Sequence, residues 1–362
     1  PRERGRLPRR GTRTNDRLTT LILFRLLAAG GGGGGGTPSE GGGIGGTGLH
    51  IGPNEGDGAV QVNGIAFDAA GAAITISGMN AAEADVRDGM VAVVSGNVSG
   101  NTGTATSVEI EEVVKGRLEQ KLDASTLVVQ GQTVQVDEST VYGPGIAPAA
   151  PAGLTINELL EVYGFVKSPG VVFATRIERE SSLSELRAQG IVTGLDLMAQ
   201  TFLIGTQPVD YSGADTSDLP GGVPANGQLV RVRGLSALSP QDEIVATVVR
   251  LADFDDFDDA QEAEIEAFVT EVLSPTQFRL GGHLVQTNAA TVFRGGTAME
   301  IVVGVRLDVH GSRVNDVLLA TKVEFESEVK LESDVAGVVG NTITLVGLPG
   351  ITVTVDAITE YD

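Results

Sequence analysis

Two glycines seven positions apart, bracketing an alternating apolar run, occur three times in this chain: Gly89–Gly96 (GMVAVVSG), Gly227–Gly234 (GQLVRVRG) and Gly304–Gly311 (GVRLDVHG). Asn157–Gly164 (NELLEVYG) is a fourth copy, with Asn in the first slot. Each copy is followed by a segment marked Ala-Thr, at Ala105-Thr106, Ala174-Thr175, Ala246-Thr247 and Ala320-Thr321. The markers at 105, 174, 246 and 320 are therefore 69, 72 and 74 residues apart. A fixed period of this kind describes an array of like units rather than one large core. A period near 70 is too long for one coil of a strand-turn solenoid, and long enough for five strands of ordinary length.

The second copy shows the expected order. Val113–Lys121 alternates around Gly116, which suggests a bent strand or bulge. Thr126–Val129 and Thr133–Val136 read as a hairpin across Gly131, ended by Asp137. A connection with Pro144, Pro148 and Pro151 follows, with room for a helical turn in Leu154–Leu160, and then the strands Glu161–Lys167 and Val171–Glu178. Gly190 and Gly337 take the place of Gly116 in other copies, while Phe268 takes it in the fourth. Three strands, a variable connection and two strands match a small five-stranded Greek-key barrel of the OB type. The fold class expected is all-β: tandem OB-like barrels after a disordered Gly-rich N-terminal segment. The alternative is one extended β-sandwich or solenoid. The expected division is a leader over 1–29, a Gly-rich tether over 30–57, and repeats over 58–112, 113–182 and 183–252. An acidic linker over 253–263 then precedes a fourth repeat over 264–327 and a truncated fifth over 328–362. The fifth copy lacks both marker strands, so the natural protein is expected to continue past Asp362.

Charge is divided along the chain. Residues 1–36 hold eight Arg against Glu3 and Asp16, a net +6, within a total of −22, leaving −28 for the rest. So acidic a body repels phosphate backbones, and nucleic acid is not an expected partner. There is no Cys, which excludes disulfides and thiolate metal sites, and no Trp. The cores must be built from Val, Ile, Leu and Ala.

The basic stretch leads into Leu18–Phe24, then Leu26-Leu27-Ala28-Ala29, in the layout of an export signal. The apolar run is too short to span a membrane, and Arg25 interrupts it. The chain starts with Pro1, so the natural start is expected upstream. Gly30 to Gly48 is mostly glycine and reads as a flexible tether. The leader ending Leu-Leu-Ala-Ala, the polyglycine, Gly42-Gly43-Ile44-Gly45-Gly46-Thr47-Gly48 and the Ala-Thr-marked repeats together resemble a family of bacterial envelope lipoproteins. The repeated unit of that family is catalogued as a domain of unknown function. The resemblance implies a location in the periplasm, on the outer membrane surface or outside the cell. Lipoproteins of this type carry lipid on a Cys after the small residues, and that position here is Gly30.

Few residues suggest chemistry. Asp253, Asp255, Asp256, Asp258 and Asp259 form a carboxylate cluster that is a weak calcium candidate. Phe257 occupies the fifth ligand slot of a calcium loop and no glycine stands at the sixth, so a solvated acidic linker is the plainer reading, with Phe254 and Phe257 docking it. His50, His283 and His310 stand apart from one another, which argues against a transition-metal site, and His310 is expected to face solvent. Asp137, Asp210 and Asp356, with Asn288, recur once per copy, as turn-capping side chains do. Tyr142, Tyr211 and Phe293 each follow a hairpin end and suggest a shared core role. No nucleophile, base and orienting group can be named together, so no enzyme and no cofactor are expected. The function expected is an exported structural or adhesive envelope array, with an envelope polymer or a protein as partner. The alternatives are a module binding calcium or oligosaccharide, and a self-assembling filament subunit.

Overall fold

Each repeat depends on the same two backbone positions. The first slot of the seven-spaced pair lies in the left-handed region, with φ of 79° at Gly89, 74° at Asn157, 89° at Gly227 and 89° at Gly304. Glycine adopts that conformation without steric cost and Asn tolerates it better than most residues, so Asn157 is a conservative exception. The second slot is a β-bulge: strand register shifts at Ser95/Gly96, Tyr163/Gly164, Arg233/Gly234 and His310/Gly311. A Cβ at Gly96, Gly164 or Gly311 would run into the carbonyl oxygen of Thr104, Phe173 or Leu319, and at Gly234 into Ile244. The Ala-Thr marker is the other half of this contact. Ala105, Ala174, Ala246 and Ala320 are buried. The hydroxyls of Thr106, Thr247 and Thr321 donate to the carbonyls of Ser95, Arg233 and His310, at 3.0, 3.1 and 3.2 Å. Thr175 donates instead to the Gly89 carbonyl of the first repeat, at 2.6 Å.

The computed structural model of the chain describes residues 47–252, 260–326, 335–340, 342–346 and 352–354. The described residues fall into two compact units, those up to Glu326 and those from Val335 onward. In the second unit Val335–Val339, Thr342–Leu345 and Thr352–Thr354 form an antiparallel three-stranded sheet. The larger unit holds four repeats with one pairing rule. In the second repeat Val114–Lys121 pairs with Thr126–Val129, which pairs with Gln132–Gln135, all antiparallel. Gln132–Gln135 then lies parallel to Val171–Glu180, and Leu159–Ser168 fills the place between Val171–Glu180 and Val114–Lys121. The fourth repeat uses the same pairings from Ala260–Ser274 to Val317–Phe325.

The repeats are not separate closed OB-like barrels. In the second and fourth, the first strand extends past its hairpin partner, and the free half of its edge is taken by the first strand of another repeat. Val114 and Lys115 pair antiparallel with Ala188 and Arg187 of the third repeat. Gly48–Ile51 pairs parallel with Glu262–Ile265 of the fourth. A bare edge would leave backbone donors and acceptors unpaired, and sharing it removes that cost. The described strands of this unit therefore join into a 13-stranded and a 12-stranded sheet, a stack of β coils in the manner of the solenoid alternative. The cores are shared as well: Tyr163 of the second repeat is buried in the first repeat's core, and Phe165 and Phe173 in the fourth's. Phe268 fills its anomalous slot against that pair, with ring centroids 6.3 Å from Phe165 and 5.7 Å from Phe173.

Two further expectations change. Thr47–Pro53, read as the end of the tether, is the first strand of the first repeat, with Leu49 and Ile51 buried. The strand Ala260–Ser274 begins inside the stretch read as acidic linker. The variable connections carry single 3-10 turns, Glu83–Asp85, Pro151–Gly153, Pro220–Gly222 and Ala298–Glu300, each just before the first-slot residue. Leu154–Leu160 holds no helical turn. Among the described residues no helix is long and apolar enough to cross a membrane.

Gly311→Ala should cost about 1–3 kcal/mol, because the opposing backbone has to move. Asn157→Ala should cost about 1–2 kcal/mol through its left-handed backbone, whereas Asn157→Gly should stay close to wild type. Urea unfolding midpoints of the full chain check this ordering.

Candidate functional site

Strand register brings three distant segments into one row of polar side chains. His50 of Thr47–Pro53 pairs with Glu264 of Ala260–Ser274. Glu264 pairs with His310 of Arg306–Val314, and His310 with Lys322 of Val317–Phe325. Directly opposed residues share a face of the sheet, and Asp308, two residues before His310, joins the same face. His310 Nε2 lies 3.0 Å from Asp308 Oδ2 and 3.3 Å from Glu264 Oε1. His50 Nδ1 lies 3.5 Å from Glu264 Oε2. Lys322 Nζ turns to Glu324, at 2.9 Å. The ligand atoms of Glu264, Asp308 and His310 all lie within 4.8 Å of one another.

Burial governs the electrostatics. Glu264 is pushed up to about 8, by burial first and then by the neighbouring Asp308 carboxylate, against His310 and Lys322. His310 is raised: burial pulls it down, but the hydrogen bond and charge of Asp308, with Glu264, outweigh burial. His50 has no exposed surface and is lowered to about 4, chiefly by burial. Neither of its ring nitrogens has a hydrogen-bond partner among the described residues. Within its strand Gly311 supplies the bulge beside His310, and bulges commonly re-aim the neighbouring side chain.

A second polar group joins the first three repeats. Arg187 is buried; its Nη1 contacts Glu112 Oε2 at 3.0 Å and its Nη2 donates to the Ser77 carbonyl at 2.6 Å. Arg231 and Arg233 pair with Glu109 and Glu111 of the first repeat, at 3.3 and 2.5 Å. Arg231 also borders a cleft where all four repeats meet, lined in part by Val93, Glu109, Phe165, Gln189 and His283. Lys115 Nζ sits between Glu161 and Glu180, at 2.6 and 3.3 Å. Burial and the charge of Glu112 push Glu161 up to about 7 despite Lys115. Burial also opposes ionisation of Glu180, but the hydrogen bond from Glu161, the amides of Ser181 and Ser182, and Lys115 hold it down at about 2.

The calcium candidates Asp253, Asp255, Asp256, Asp258 and Asp259, with Phe254 and Phe257, lie outside the described residues. So does Asp356, but the other turn residues cap as expected. Asp137 accepts from the Ser139 amide at 2.8 Å, Asp210 from Ser212 at 2.9 Å and Asn288 from Ala290 at 2.7 Å. Tyr211 is in a core, with Tyr142 and Phe293 packed against cores. His310 does not simply face solvent: its side chain is 31% exposed and its ring nitrogen is held by two carboxylates. His283 is buried at the cleft, apart from the row. The histidines stand far apart in sequence, yet strand pairing gathers two of them around Glu264. The two-residue spacing of Asp308 and His310 was the available signal.

Recurrent coils, bulge glycines and Ala-Thr pairs define a tandem-repeat β protein. Two of its repeats, residues 115–178 and 266–324, match the family model described as Domain of unknown function (DUF5666). Each match runs from the first strand of a repeat to its last. No curated protein matches the chain.

Arg187→Met should destabilise the protein by about 3–5 kcal/mol, because Glu112 is left as a buried charge without its partner. Adding Glu112→Gln should restore part of that loss in thermal melts. Because the folded-state pKa of Glu161 lies above its ordinary 4.5, the stability it contributes is full below about 4.5 and lost as pH rises through about 7. Glu161→Gln should therefore gain stability relative to wild type between pH 4.5 and pH 8, read as the difference in melting temperature. An unchanged difference would contradict the assignment.

Proposed function

We propose that this chain is an exported, non-enzymatic protein of the cell envelope, a structural or adhesive array of β repeats. The observation that carries the reading is the disposition of the buried charges. Arg187, Arg231 and Arg233 of the third repeat all tie to carboxylates or carbonyls of the first repeat. Arg176 of the second reaches the Asp88 carbonyl of the first, at 2.8 Å. Repeats locked to one another in this way suit mechanical continuity better than independent motion. The signal-like leader and the glycine-rich stretch after it support export to the periplasm, the outer membrane surface or the medium. The strongly acidic body favours a polymer or protein partner over nucleic acid.

Expression of the full chain with a C-terminal tag in a bacterial host, followed by fractionation, tests the location. The expected result is a shortened protein in the periplasm or medium that cosediments with isolated envelope material. Full-length protein confined to the cytosol would overturn the proposal. A second reading, an oligosaccharide-binding module, would use the connections that carry the 3-10 turns, which vary in sequence from repeat to repeat while the strands around them keep their pairings. Calorimetry against a glycan panel separates the two, since saturable heat would favour the binding module.

A further inference from the structure

Comparison of the second and fourth repeats isolates what is unusual about the polar row. Aligned on Gly116 and Phe268, Glu112, at the entry to the second repeat, corresponds to Glu264 at the entry to the fourth, and Lys115 to Ala267. Aligned on Gly164 and Gly311, Glu161 corresponds to Asp308, and Tyr163 to His310. Both repeats therefore carry the same two carboxylates. In the second they are balanced by cations, Lys115 on Glu161 at 2.6 Å and Arg187 on Glu112 at 3.0 Å. In the fourth the lysine position is alanine, and an imidazole stands between the carboxylates instead. Lys322, the nearest ammonium along the row, is engaged by Glu324.

We propose that Glu264, Asp308 and His310 form a site for a divalent transition-metal ion of the zinc class, with His50 as the outer partner that orients Glu264. Mixed imidazole and carboxylate donors suit zinc and its neighbours, whereas calcium and magnesium prefer oxygen alone. Zinc bonds to nitrogen and oxygen of about 2.0–2.2 Å place tetrahedral ligands about 3.4 Å apart. The distances here are 3.0 Å from His310 Nε2 to Asp308 Oδ2 and 3.3 Å from His310 Nε2 to Glu264 Oε1. His50 supplies an independent indication. It is fully buried, neither nitrogen has a hydrogen-bond partner among the described residues, and Nδ1 faces Glu264 Oε2 at 3.5 Å. A metal held on Oε1 would leave Oε2 to accept from the His50 Nδ1–H, the outer-shell bond that ligating carboxylates usually have. Since His50 belongs to the first repeat and the ligands to the fourth, the ion would tighten the parallel pairing of those two repeats.

The test uses the full chain, freed of metal with a chelator and titrated with Zn2+ by calorimetry. Co2+ serves as a spectroscopic probe, because its visible bands report a low-symmetry nitrogen and oxygen site. Wild type should bind at this site with a raised melting temperature. His310→Ala and the isosteric Asp308→Asn should each lower affinity at least a hundredfold and abolish the Co2+ bands, with circular dichroism checking the fold. His50→Gln should lower affinity about ten- to a hundredfold without changing stoichiometry. A triple variant, Asp255→Asn, Asp256→Asn and Asp258→Asn, should leave the site unchanged. Absence of Zn2+ binding by wild type, wild-type affinity in Asp308→Asn, or loss of binding in the triple variant would each overturn the metal site. Wild-type affinity in His50→Gln would overturn the role given to His50.

Discussion

The close approach of one backbone to its neighbour at the bulge glycine governs this structure. At Gly96, Gly164 and Gly311 the strand lies so near the opposing carbonyl that no side chain fits. The local bend re-aims whatever residue precedes the glycine. In the last three repeats that residue reaches toward the first by different chemistry. Tyr163 enters its apolar core, Arg233 pairs with Glu111, and His310 joins the row that ends at His50. One backbone device thus serves as a common mount, and side-chain identity there decides what kind of joint is made.

Edges are the second organising constraint. A first strand longer than its hairpin leaves hydrogen-bonding groups bare, and here other repeats supply the missing partner. The two unions differ: the second and third repeats meet antiparallel, the first and fourth parallel. Apolar cores cross both of these borders, and arginine ion pairs tie the third repeat to the first, so backbone, packing and charge all oppose separation.

Much of this was legible in the residues. The seven-residue glycine spacing and the Ala-Thr marks are local signals, set by left-handed backbone and by a buried methyl, and they identified the right strands in each repeat. Capping by Asp137, Asp210 and Asn288 is equally local. What could not be read was partnership between distant strands. Lys115 beside Arg187, or His50 beside Glu264, follows from how free edges are filled, and nothing in either segment alone encodes the choice. For that reason the residues alone suggest separate OB-like barrels where shared sheets exist. The same gap hid the polar row, because its members are assembled by register across three segments. The glycines of Gly48 to Pro53 resemble the run before them and so read as tether, although Leu49 and Ile51 alternate as a strand should.

The parallel pairing of Gly48–Ile51 with Glu262–Ile265 sets an order on maturation. One edge of a strand near residue 50 waits for a partner more than two hundred positions later, so the first coil stays incomplete until that later strand has emerged. If the protein leaves the cytoplasm front end first, Thr47–Pro53 can pair early with Val91–Ser99 on one side, while its other side stays open until Ala260–Ser274 arrives. Until then it offers a naked edge to whatever lies nearby.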